Sequence, residues 1–138
     1  MATEPTRLSV RVHAVRAEAL DVLSFELRAA DGGALPAFTA GSHIDVEIPT
    51  AAGPLLRQYS LSNDPEERHR YVVGVGRDAA SRGGSVALHD QVRAGALLRI
   101  AAPRNNFALD EAAPLSVLVA GGIGITPMLA MARRLARL

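Results

Sequence analysis

The sequence predicts a mainly β protein: six short strands, with one helix between the fifth and the sixth, closing into a small barrel that is followed by the start of an α/β unit. Three observations carry this. Residues 8–101 hold six stretches of alternating or β-rich character punctuated by turn residues. Among them only residues 85–92 read as a short helix. After Pro103 the pattern changes to one apolar run, a glycine turn and an amphipathic helix.

In residues 8–15, Leu8, Val10, Val12 and Ala14 alternate with Ser9, Arg11, His13 and Val15, the period of a half-buried strand. In 21–29, Val22, Ser24, Glu26 and Arg28 face one way and Leu23, Phe25 and Leu27 the other, before the turn Asp31-Gly32-Gly33. Residues 43–48 place Ile44, Val46 and Ile48 on one face and end at Pro49 and the loop 51–54. Residues 55–62 and 71–77 form the fourth and fifth strands around the polar stretch 63–68, and 97–101 form the sixth. Leu115-Ser116-Val117-Leu118-Val119-Ala120 reads as a strand buried on both faces of a parallel sheet. Gly121-Gly122-Ile123-Gly124 then turns into a helix for which Thr126 is the expected N-cap and Pro127 the first residue. Met128, Met131, Ala132, Leu135 and Leu138 share one side of it, while Arg133, Arg134 and Arg137 gather at the end where the helix dipole favours cations. One strand and one helix cannot complete a parallel sheet, so this second unit is expected to be only begun. The boundary is placed near residues 110–114, dividing a barrel domain, 1–110, from a truncated unit, 111–138.

A chain of 138 residues with 49% hydrophobic content can bury the core of one domain plus a fragment of the next. Its 15 basic and 14 acidic residues are spread along the chain, so no nucleic-acid or membrane partner is expected. Every basic residue is Arg, a global bias that makes no single arginine informative by identity. The absence of cysteine excludes disulfides, thiolate zinc sites, thiol catalysis and a cysteine-ligated iron–sulfur cluster within this chain. The first eight residues lack an apolar signal region and no stretch is long enough to cross a bilayer, which makes a soluble cytoplasmic protein the expectation. His13, His43, His69 and His89 show no metal-ligand spacing and are expected to be structural or exposed.

Three segments could carry chemistry. Arg57-Gln58-Tyr59-Ser60 lies on a strand, with Arg57 and Tyr59 on one face and Ser60 on the other. A charged fork, a flat ring and a small hydroxyl at this spacing can hold a phosphate, cover a planar heterocycle and bond its edge. Taken alone, the same residues also make an ordinary strand with one exposed arginine. In Ser81-Arg82-Gly83-Gly84-Ser85, paired glycines before a helix let backbone amides approach an anion, although a glycine loop with a Ser cap reads equally well. Gly121 to Thr126 joins a strand to a helix as nucleotide-binding turns do, but lacks the G-x-G-x-x-G spacing and could be fold-building alone.

In this order the three segments resemble the ferredoxin–NADP reductase superfamily, and within it the phthalate dioxygenase reductase and vanillate O-demethylase reductase group. Arg57-Gln58-Tyr59-Ser60 is similar to its R-x-Y-S flavin motif, continued by Ser60 to Pro65. Arg82-Gly83-Gly84-Ser85 resembles its phosphate loop, and Gly121 to Met128 its G-G-I-G-I-T-P-M signature. The resemblance implies a six-stranded antiparallel Greek-key β-barrel that binds flavin, followed by the first βα unit of an NAD(P)-binding domain. It implies that Arg57 binds the flavin phosphate with Gly83, Gly84 and Ser85, that Tyr59 and Gln58 line the ring system, and that Ser60 hydrogen-bonds near the reactive edge. The backbone of Val73, Gly74 and Val75 would meet the pyrimidine end, and Thr126 would approach from the second unit. Ser60 and Thr126 are thus the expected catalytic residues, in the sense of tuning the flavin. The implied cofactor is FMN, with FAD as the alternative; the short 77–81 connection and the lack of Trp are compatible with FMN. The implied activity is that of a flavoprotein oxidoreductase, passing electrons from NAD(P)H through flavin to an iron–sulfur domain or ferredoxin serving an oxygenase component. A truncated, non-catalytic flavin-binding or protein-interaction module is the alternative. The remaining nucleotide-domain and Cys-rich segments of the family are expected to be absent from this stretch of sequence.

Overall fold

The computed structural model describes residues 6–138; the first five residues of the N-terminal stretch lie outside the described part. The elements are β1 (Arg7–Ala19), β2 (Val22–Ala29), β3 (His43–Ile48), β4 (Leu55–Ser60), β5 (Tyr71–Gly76), α1 (Gly84–Gln91), β6 (Leu97–Ala101), a single 3-10 turn (Gly122–Gly124) and α2 (Ile125–Leu135). The strands form one sheet in the order β4-β3-β6-β1-β2-β5, with every pairing antiparallel. The expected six-stranded antiparallel barrel with one helix before the last strand is what the chain forms.

The alternation seen in the sequence builds the core. Val10 and Val12 from β1, Phe25 and Leu27 from β2, Ile44, Val46 and Ile48 from β3, Tyr71, Val73 and Val75 from β5 and Leu98 and Ile100 from β6 are buried together. Ala87, Leu88 and Val92 at α1 plug one end of the barrel. Phe38 meets Tyr71 edge-on with centroids 5.6 Å apart, a favourable aromatic geometry. Burial pushes the Tyr71 phenol up to about 12, and its hydroxyl donates to the Pro36 carbonyl at 2.5 Å, so it is not left unsatisfied.

The sheet does not close completely. Its two edge strands, β4 and β5, meet only through the bridge Leu61↔Val73 just beyond the end of β4. Among the described residues β4 and β5 make no other strand pairing with each other, which leaves edge backbone donors and acceptors along a gap. This gap positions the candidate site.

After β6 the chain is bonded back to the barrel: Arg104 exchanges backbone hydrogen bonds with His43 and its guanidinium pairs with Asp45 at 2.6 Å, while Asn105 donates to Thr39 Oγ1 and the Ala40 carbonyl. Leu109, Leu118 and Met128 then pack on Ala40, Ala130 and Met131, a second small core that docks α2 on the barrel.

Three expectations for this region are corrected. The segment 115–120 makes no strand pairing, and Leu115, Val117 and Val119 are 77, 75 and 79% exposed rather than buried on both faces, because no neighbouring strand is present among the described residues to cover them. Thr126 is not the N-cap: the 3-10 turn runs straight into α2, Gly124 takes the cap position, and the Thr126 hydroxyl donates to the Ile123 carbonyl at 3.1 Å. Pro127 therefore falls at the third helical position, still in the first turn where its missing N–H leaves no gap. The docked face of α2 is centred on Ala130 and Met131, so Ala132 and Leu138 face solvent.

Candidate functional site

The gap between β4 and β5 opens into a cleft of about 500 Å³. Arg57, Gln58, Tyr59 and Ser60 form one wall, Gly74 and Gly76 the other, Asp78, Ser81 and Ser85 the floor near α1, and Ile123, Gly124, Thr126 and Pro127 the lip contributed by the 3-10 turn and the start of α2. All three segments singled out in the sequence, from positions 57 to 127, therefore converge on one cavity. Because β4 is an edge strand, side chains from both of its faces reach the cleft, which is how Arg57 and Tyr59 join Gln58 and Ser60 despite alternation.

Arg57 lies across the entrance of α1. A Cβ on Gly84 would stand 3.1 Å from Arg57 Cγ, 3.4 Å from its Nε and 3.4 Å from Ile48 Cδ1, so a side chain there would push the Arg57 stem back from the helix start. The guanidinium donates to the Leu56 carbonyl at 2.8 Å, and among the described residues it forms no ion pair with a carboxylate. The N-cap of α1 is Gly83 in a left-handed conformation, with no side chain capping the helix amides. A cation without a counter-ion beside an uncapped helix N-terminus is an arrangement that an anion completes.

The loop between β5 and α1 is fastened by its own side chains. Asp78 N–H donates to Ser85 Oγ at 2.9 Å, Ser81 Oγ donates to the Asp78 carbonyl at 2.8 Å, and Arg77 grips Asp90 through two bonds of 2.6 and 3.2 Å. Ser85 thus lines the cleft with its hydroxyl already engaged as an acceptor. His89 bonds the Val75 carbonyl at 2.7 Å, tying α1 to β5.

On the opposite wall, the side chains of Val73 and Val75 point into the core, and it is the intervening Gly74, with Gly76, that faces the cleft. A Cβ on Gly74 would stand 2.9 Å from Thr126 Cγ2 and 3.6 Å from Ile123 Cδ1. The absence of a side chain there is what lets the lip close onto the wall. Tyr59 is half-buried against the core; burial raises its phenol pKa while the Arg57 charge pulls it down, and the ring stays neutral near pH 7. Asp78, Ser81, Gly76, Ile123, Gly124 and Pro127 line the cleft without having been singled out as site residues. For Gly76 the signal was its two-residue spacing from Gly74, and for Ile123 and Pro127 their place inside the glycine-rich segment.

Comparison with known proteins follows this geometry. No family model matches the chain. A vanillate O-demethylase oxidoreductase of Pseudomonas putida is 60% identical over 119 residues, covering 86% of this chain and 36% of that protein. The phenoxybenzoate dioxygenase subunit beta of Ectopseudomonas oleovorans is 53% identical over 131 residues, 95% of this chain and 40% of that protein. A solved phthalate dioxygenase reductase, described as a modular structure for electron transfer from pyridine nucleotides to [2Fe-2S], superposes with a TM-score of 0.90 at 45% identity, covering 95% of this chain and 40% of that one. The chain is homologous to the N-terminal part of reductases of the phthalate dioxygenase reductase group. It spans about 40% of the length of these reductases. The match to the solved reductase covers 95% of this chain, so the barrel that carries the cleft is a fold held in common with it.

Proposed function

We propose that the cleft binds a flavin mononucleotide, and that the chain is the flavin-binding part of an NAD(P)H-dependent reductase delivering electrons to an iron–sulfur partner of an oxygenase. The observation that carries this reading is the Arg57 guanidinium, without a carboxylate partner among the described residues, lying against the uncapped start of α1 in the same cleft as Tyr59, Ser60 and Thr126. Residues 1–110 would be the flavin domain and 111–138 the opening of the nicotinamide-nucleotide domain; a cytoplasmic setting belongs to the same reading.

The residues present fit the group. Arg57 would neutralise a terminal phosphate, with the amides at Gly84 and Ser85 available as further donors to it. Gly83 keeps the helix entrance free of a competing side-chain cap. The self-bonded loop from Asp78 to Ser85 closes off the phosphate end without an extension that could hold an adenine, which favours the mononucleotide over FAD. Bound flavin would supply the exchange between two-electron nicotinamide chemistry and one-electron iron–sulfur chemistry. The protein's own share is positional: Tyr59 offers a neutral ring and hydroxyl, Gln58 and Ser60 offer edge hydrogen bonds, and Thr126 and Ile123 cover the Gly74 wall and exclude water. No acid–base pair is needed for that task.

Titration of the chain with FMN, followed by flavin fluorescence, tests the proposal. The unaltered chain should bind FMN more tightly than riboflavin, and Arg57→Ala should weaken FMN binding by about 1.5–3 kcal/mol, the worth of a charge-assisted hydrogen bond, while leaving riboflavin binding unchanged. Equal affinity for the two ligands would remove the phosphate site. Gly84→Val, which drives a side chain into Arg57 and Ile48, should reduce FMN affinity by at least as much as Arg57→Ala. Steady-state NADH oxidation with an artificial acceptor then separates a reductase from a flavin-binding module.

A further inference from the structure

We propose that Arg133, Arg134 and Arg137 are positioning residues, a charged latch that holds α2 on the loop between β4 and β5 and thereby keeps Thr126 at the flavin cleft. The inference rests on the flavin reading of that cleft for its functional meaning, but its geometry is independent of it.

Arg133 Nη1 donates to the Ser62 carbonyl at 3.0 Å. Arg137 binds Asp64 Oδ2 through Nε at 2.7 Å and through Nη2 at 2.6 Å. Arg134 reaches Glu66 Oε1 at 3.3 Å and pairs with Glu111 on the linker. All three guanidinium groups thus close on residues 62–66 or on the chain leading into α2.

The receiving loop is itself rigid and fixed to β5. Asn63, buried, donates to the Arg70 carbonyl at 2.9 Å and accepts from Val72 N–H at 3.0 Å, and Ser62 N–H donates to the Val72 carbonyl at 2.9 Å. Asp64 Oδ1 accepts from Glu66 N–H at 3.0 Å, leaving Oδ2 for Arg137. A continuous path therefore runs from the arginines through residues 62–66 to β5, whose Gly74 carries the Thr126 contact. The apolar part of the docking is thin: among the described residues it buries Ala40, Ala130 and Met131, against eighteen buried residues in the barrel core. Single exposed ion pairs contribute little, but several converging on one prearranged loop act together. They are also screened by salt, which the apolar seam is not. At eleven residues α2 is too short to persist alone, so undocking appears as loss of its amide protection.

Hydrogen–deuterium exchange on the 138-residue chain, with and without FMN, decides the matter. The double variant Asp64→Asn/Arg134→Ala keeps the loop cap at residue 64, and alanine at position 134 favours the helix intrinsically. The expected result is roughly tenfold faster exchange of α2 amides with β1 and β2 amides unchanged, the same effect in the unaltered chain at about 0.5 M NaCl, and recovery in Asp64→Glu. With FMN bound, iodide quenching of flavin fluorescence should rise about twofold in the double variant, a change in access to the cleft that the barrel's stability would not report. If α2 protection is unmoved by the double variant and by salt, while Ala130→Asp abolishes it, the apolar seam alone docks the helix and the latch is overturned. Should the chain bind no FMN, the exchange arm still judges the latch, and only the flavin reading falls.

Discussion

Glu26→Gln will destabilise the barrel by about 2–3 kcal/mol at neutral pH, and the deficit will vanish in acid. Glu26 is only 2% exposed, on the outer face of β2. Its carboxylate takes Arg70 Nη1 at 2.8 Å, Arg28 Nη2 at 2.9 Å and Arg16 Nη1 at 3.5 Å, with His13 Nε2 at 3.8 Å. Burial raises its pKa, but the hydrogen bonds and charges of Arg70 and Arg28 outweigh burial and hold it down at about 2, against an ordinary 4.5. Breaking a buried pair costs about 3–5 kcal/mol, and the partial exposure of the arginines lowers that figure here. A depressed folded-state pKa gives stability that is fully present above pH 4.5 and is lost as the pH falls towards 2. Urea unfolding midpoints of the two proteins, measured from pH 7 down to about pH 3, should therefore draw steadily closer below pH 4.5. A gap that stays constant over that range would mean that the charge of Glu26 contributes nothing. The effect bears on the site because Glu26 and Ser24 pair with Val72 and Gly74, and so brace the strand that walls the cleft.

Alternation told which side of β2 Glu26 faces, but not that it is buried, because its covering arginine, Arg70, comes from a strand end 44 residues further on. The same distinction between local and distant information runs through the rest of the chain. The third and sixth strands were legible to the residue, since nothing interrupts their period. β1 runs four residues beyond its alternating part because register shifts between Val12 and Ala14 and between Ala17 and Ala19 break the period without ending the strand. Of the site, the three motif segments stood out in the sequence as candidates, and the fold brings parts of all three to one cleft. The cleft-facing role of Gly74 and Gly76 was less so, since a glycine's use lies in what approaches it, and Thr126 does so from 52 residues away. The arginines of α2 read as helix-dipole partners, whereas their carboxylates on residues 64 and 66 belong to a loop that sequence marks only as turn-prone.

Gly41→Ala should be the most damaging single substitution of those considered, at about 3–5 kcal/mol, through two causes that can be separated. Gly41 has φ +101°, a conformation costly for any other residue, and a Cβ built there would stand 1.9 Å from the Phe107 carbonyl oxygen and 2.8 Å from its carbon. The obstacle is backbone, so no rotamer can relieve it. Phe107 cannot simply retreat, because Asn105 is bonded to Thr39 and Ala40, and Arg104 to His43 and Asp45, on either side of Gly41. Gly53 provides the comparison: its φ is +107° but nothing lies within 4 Å of a Cβ there. Gly53→Ala should therefore cost only backbone strain, about 1 kcal/mol, and lower the melting temperature by a few degrees, while Gly41→Ala should lower it by roughly 10 °C or more. The larger loss should also be uneven, with α2 amides losing protection before those of the barrel, since Leu109 at the end of the displaced linker helps seat Ala130 and Met131. Equal losses at the two glycines would mean that left-handed backbone alone sets the cost, and that the linker is free to move away from residue 41.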